Sequence, residues 1–67
     1  MFNIYLNGKK KDIDEGMSVS DLLEANEIKP EIVVVEINDK IIERGKYKDT
    51  ILSVQDRVEF VYYMGGG

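Results

Sequence analysis

The chain opens on a two-residue alternation. Phe2, Ile4 and Leu6 are separated by Asn3 and Tyr5, the period of a strand with one buried face. Asn7-Gly8 follows directly and suits a two-residue hairpin turn, because both turn positions take positive φ. The return segment KKKDID is a weaker strand, with Lys11 and Ile13 on one face and enough charge for a sheet edge. The period then changes. Val19, Leu22 and Leu23 recur at i, i+3, i+4, the stripe of a helix. Ser18 stands as its N-cap, Asp21 at the capping-box position, Met17 and Leu22 as a hydrophobic staple, and Asn26 as its end. A helix of about two turns is not stable alone, so it must lie on a sheet.

Beyond Pro30 the pattern predicts a strand from about Glu31 to Ile37, a turn at Asn38-Asp39, and a returning strand at Lys40 to Ile42. ERGKYKDTIL reads as loop with one short helical turn and Tyr47 as its apolar plug; SVQD is a turn and RVEFVYY the last strand. Tyr62 and Tyr63 are adjacent, so one should close the core and the other face outward. The order hairpin, helix, strand, short strand, strand predicts an α+β fold of the β-grasp (ubiquitin-like) type. One main helix packs on one face of a mixed four- to five-stranded sheet, and the first and last strands lie parallel at its centre. The expected core is Phe2, Ile4, Leu6, Ile13, Val19, Leu22, Leu23, Val33, Val35, Ile37, Val58 and Phe60. The other sheet face then carries Tyr5, Val34, Glu36, Glu59, Val61 and Tyr63, with Tyr5, Val34, Val61 and Tyr63 expected to form one apolar docking patch. Residues 1–64 form the domain and 65–67 a flexible glycine tail.

Composition narrows the chemistry. The 67 residues suit one domain, and 43% hydrophobic with 33% charged residues suits a folded one. There is no cysteine and no histidine, which removes disulfides, thiolate nucleophiles, the usual zinc sites and imidazole acid–base catalysis. The cytoplasm is the expected compartment. No apolar run approaches the roughly 18–20 residues of a membrane span, and the N-terminus lacks the marks of a signal peptide. A net charge of −4 argues against a nucleic-acid partner. Lys9–Lys11 is read as a solvated edge, since Asp12, Asp14 and Glu15 follow at once. Ser18 with Asp21 is a cap and not a catalytic pair, because no base is present to activate the serine. The carboxylates lack the spacing of a calcium loop, so no metal is expected. No catalytic residue and no bound cofactor emerge.

The end of the chain, FVYYMGGG, is the segment with chemical content. Glycines without Cβ atoms can thread a narrow channel that any other residue would block. An α-carboxylate at Gly67 is ionised at neutral pH, with a pKa of about 3.3–3.7, and inert to nucleophiles. Activation to an acyl-adenylate makes it electrophilic, and attack by a sulfur nucleophile leaves a thiocarboxylate. With no cysteine to carry a persulfide, sulfur carried by this chain must sit at that end.

On this pattern the chain resembles the small sulfur-carrier proteins of thiamine biosynthesis, the ThiS family, along essentially its whole length. IYLNGK, SVSDLL, VVVEINDKII and DRVEFVYYMGGG carry the resemblance, and Gly66-Gly67 is its most specific element. Two positions depart from it: Gln55 stands where many relatives have glycine, and no proline precedes Arg44. The resemblance implies a co-substrate, not an enzyme. An adenylating, ubiquitin-activating-like partner uses Mg-ATP on Gly67, a sulfurtransferase relay supplies sulfur, and thiazole synthase receives it. Gly65 and Gly66 would thread the partner sites, with Met64 at the root. Tyr5, Val34, Glu59, Val61 and Tyr63 would form the docking face of a carrier that is monomeric when free. Neighbouring readings are the small subunit of molybdopterin synthase, another sulfur carrier, a ubiquitin-like modifier, and a plain β-grasp binding module.

Overall fold

A computed structural model describes residues 1–62. Its elements are β1 (Phe2–Leu6), β2 (Lys9–Ile13), α1 (Val19–Ala25), β3 (Val33–Ile37), β4 (Lys40–Ile42) and β5 (Arg57–Tyr62). Short 3₁₀ turns lie at Pro30–Ile32 and Arg44–Lys46. The five strands form one sheet in the order β2-β1-β5-β3-β4. β1 and β5 run parallel at its centre, and the other neighbours are antiparallel. This is the β-grasp arrangement that the element order predicts.

Local chemistry sets each boundary. Asn7 (φ 49°) and Gly8 (φ 84°) turn β1 into β2, and Asn38 (φ 52°) with Asp39 (φ 72°) turns β3 into β4. These are the left-handed conformations that two-residue hairpins require. At the helix start, Ser18 Oγ accepts from the Asp21 amide at 3.0 Å and the Asp21 carboxylate accepts from the Ser18 amide at 3.0 Å. The shorter aspartate therefore completes the capping box as a glutamate would. At the other end Asn26 Nδ2 donates back to the Leu22 carbonyl at 2.8 Å, satisfying a terminal acceptor. β3 begins at Val33 and not near Glu31, because Pro30 presets φ for the 3₁₀ turn that occupies Pro30–Ile32.

The core lies between α1 and one sheet face. It contains Ile4, Leu6, Ile13, Val19, Leu22, Leu23, Val33, Val35, Ile37, Val58 and Phe60, as the periodicities require. Three positions refine the expected list. Phe2 is only partly buried at the sheet's end, packed against the core from outside. Tyr47 is a full core member, and its hydroxyl donates to the Val33 carbonyl at 3.4 Å. Leu52, unread in the sequence, is buried to 3% exposure. Its segment is held against the helix entry by backbone bonds from Val19 to Thr50 and from Leu52 to Met17, both 2.9 Å. Tyr62 shares the covered side with Val58 and Phe60 but remains 45% exposed, so on β5 the cover ends at Phe60. Tyr63 and the proposed domain end at residue 64 lie outside the described residues.

Candidate functional site

Among the described residues no helix lies on the second sheet face, and alternation decides what that face presents. Tyr5, Val34, Glu36, Glu59 and Val61 all point to it, as the two-residue period requires. Tyr5 is 36% and Val61 50% exposed, Glu59 is exposed, and Val34 and Glu36 are half-buried. Of the remaining candidates, Tyr63, Met64, Gly65, Gly66 and Gly67 lie outside the described residues.

Register decides which of these residues meet. Val34 is directly opposite Val61 and Glu36 opposite Glu59. Tyr5 instead stands beside Arg57 on one side and Lys10 on the other. Arg57 and Val61 are four residues apart on one strand, about 13 Å at roughly 3.3 Å per residue. The single apolar patch expected from the sequence is therefore divided. A valine pair sits toward the C-terminal end of β5. Tyr5 sits toward its start, where a shallow depression is lined by Tyr5, Gly8, Gln55, Arg57 and Glu59. The acidic pair lies between them. The reason is offset: β1 pairs with β5 only at Tyr5–Arg57 and Leu6–Val58, so its side chains never reach Val61.

Ile41 belongs to the same face and was not read from the sequence. It pairs with Glu36 while its neighbour Ile42 pairs with Val35 on the covered side, and it is 69% exposed. The alternation of β4 against β3 was the signal that could have found it.

Polar side chains fix how β5 enters and leaves the sheet. Asn38 Oδ1 accepts from the Arg57 amide at 2.9 Å and Asn38 Nδ2 donates to Asp56 at 3.0 Å. Asp56 also accepts from the Ser53 amide at 2.8 Å. Where β1 runs out, Asn7 Oδ1 accepts from the Phe60 amide at 2.8 Å, taking the place of the missing strand partner. The turn residue thus also holds the C-terminal half of β5 in line. Arg57 pairs with Asp39 at 3.3 Å, with both side chains exposed. Such a pair contributes about 0–1 kcal/mol. Among the described residues no group of three or more ligating side chains converges to hold a metal ion. Nor is any helix there long and apolar enough to cross a membrane.

A five-stranded mixed sheet with one helix on one face, its central parallel strand leading into the chain's last residues, defines a ubiquitin-like β-grasp protein. The ThiS family model matches residues 4–67, nearly the whole chain, and the chain belongs to the ThiS family. The sulfur carrier protein ThiS of Bacillus subtilis is 37% identical over 68 residues, spanning 96% of this chain and 98% of the relative. A thiazole synthase of Magnetococcus marinus is 36% identical over 64 residues; 96% of this chain takes part, but it spans only 20% of that relative's length. The crystal structure of the thiamine biosynthesis protein ThiS from Geobacter metallireducens superposes with a TM-score of 0.84 at 39% identity, covering 98% of this chain and all of that one. Membership places the chain among sulfur carriers of thiamine biosynthesis, small co-substrate proteins and not catalysts.

Proposed function

We propose that the carboxylate of Gly67 is the sulfur-carrying group. An adenylating partner uses Mg-ATP to join it to AMP, with pyrophosphate leaving. The terminal sulfur of a persulfide on a sulfurtransferase relay attacks the activated carbonyl and displaces AMP. A second thiol of the relay then cleaves the resulting acyl disulfide, leaving a disulfide on the relay and a thiocarboxylate on Gly67 that delivers sulfur to thiazole synthase. Gly65 and Gly66 supply a thread without side chains, Met64 its root, and the uncovered sheet face the docking surface that aims it. The observation that carries this reading is that the family match runs through Gly67, so the glycine end belongs to the shared pattern. The occurrence of a similar segment within a thiazole synthase chain supports that enzyme as the acceptor. Docking energy spent away from the reacting group is what positions it.

The test is intact-protein mass spectrometry after incubation with the adenylating enzyme, ATP and a sulfur source. The expected product has sulfur in place of one oxygen, and deletion of Gly67 abolishes it while the fold persists, since no core residue is removed. Conjugation to other proteins through Gly67, with no thiocarboxylate, would instead mark a modifier and refute the carrier mechanism.

A further inference from the structure

The half of the open face nearer the C-terminal end of β5 contains an arrangement that the sheet does not need for itself. Glu36 and Glu59 are directly opposed on β3 and β5, and like charges so placed repel. The covered side of the same two strands shows ordinary packing, with Val35 against Phe60 and Ile37 against Val58. Among the described residues the one ion pair is Arg57–Asp39, so neither glutamate is bridged to a cation there. Arg57 lies two positions from Glu59 on the same face, but its guanidinium is engaged with Asp39. Around the carboxylates stand Val34, Val61 and the protruding Ile41.

We infer that this half-face docks the adenylating partner through an arginine whose guanidinium enters between Glu36 and Glu59 while apolar partner groups cover Val34, Ile41 and Val61. This rests on the carrier reading above and adds the chemistry of the contact. A planar guanidinium offers a fork of donors that two carboxylates can share, and it is more weakly hydrated than an ammonium, so it enters an apolar surround more readily. Charge also sets orientation. Lys10 stands beside Tyr5 at the other end of the face, where Arg57 is paired with Asp39, so a basic partner group is attracted to the glutamate end and not to the tyrosine end. A second copy of this chain fits poorly, since self-pairing across the half-face would crowd further carboxylates against the two present.

The experiment titrates the intact chain and its Glu36→Gln, Glu59→Gln and doubly substituted forms against the purified adenylating enzyme of the same organism. Thermal melting and sedimentation of each chain alone accompany the titrations. The double variant is expected to bind at least about thirtyfold more weakly, the low end of the range for truncating one side of a buried hydrogen-bonded charge pair. Each single variant should show part of that loss. Wild-type affinity should fall as salt is raised and that of the double variant much less. The double variant alone should melt at or above the wild-type temperature, because an internal repulsion has been removed. Equal affinities for wild type and double variant would overturn the inference while leaving the carrier reading intact. Concentration-dependent dimers of the wild-type chain that the substitutions alter would also overturn it, assigning the face to a second copy. Absence of any binding by the wild-type chain would strike the carrier reading itself, and is distinguishable because it precedes any substitution.

Discussion

The two faces of one sheet follow opposite rules here. On the covered face, β5 contributes Val58 and Phe60, each opposed by an aliphatic side chain of β3 and sealed by Val19, Leu22 and Leu23 from the helix. On the uncovered face, the residues between and beside them are Arg57, Glu59 and Val61, exposed and heterogeneous, with two carboxylates set against each other. A backbone hydrogen-bond ladder cannot tell these faces apart. The difference comes from what lies above the strands: close packing penalises any misfit on one side, and on the other only solvent or a partner constrains the choice. Substitutions one residue apart should therefore differ sharply in kind.

The largest effect should come from the covered side. Leu22→Ala and Phe60→Ala should each cost about 2–5 kcal/mol by urea or thermal unfolding, the range for truncating a buried large side chain. In a domain this small that is a large share of total stability. A shift of only a degree or two in either melting curve would show that the helix does not seal this face as described. An intermediate effect is expected at the junction of the faces. Asn7→Gly keeps the turn's positive φ but leaves the Phe60 amide without its side-chain acceptor. It should cost about 1 kcal/mol, the net value of one such hydrogen bond. Asn7→Asp, which keeps the acceptor, should stay closer to wild type. Hydrogen exchange at the Phe60 amide checks the assignment, since only the glycine variant should accelerate it.

The smallest effect on folding is expected from the open side. Val61→Asp should change stability by no more than about 0.5 kcal/mol, as for surface substitutions generally. It replaces one half of the apolar Val34–Val61 pair that the partner would cover with a hydrated group, so affinity for the adenylating enzyme should fall instead. A titration with unchanged affinity would move docking off this half-face, to the acidic edge around Asp12 and Asp14. Comparing Phe60→Ala with Val61→Asp in the same two assays sets the faces side by side: one variant loses stability, the other binding.

Much of this is legible in the sequence. Periodicity marks the helix and the longer strands, because one face of each must leave water, while the short β4 is marked only by the turn before it. Asn7-Gly8 and Asn38-Asp39 marked both hairpins through the positive φ they tolerate. What escaped was non-periodic. Leu52 lies in a loop, where no alternation flags burial, and it is inside because its segment crosses the helix entry. Ile41 escaped for another reason: in a three-residue strand its facing is known only once β4 is paired with β3.

Element order, turn chemistry, the helix cap and the glycine end are each written in a few neighbouring residues. Alternation also determined that Tyr5, Val34, Glu59 and Val61 share a face. That Tyr5 stands apart from the valine pair, that Glu36 faces Glu59, and that Asn7 reaches the Phe60 amide emerge only when the strands are assembled. These depend on the offset between strands far apart in the chain. Alternation states which side a residue takes, but register, set by hairpin geometry and the packing of the whole core, states which residue it meets.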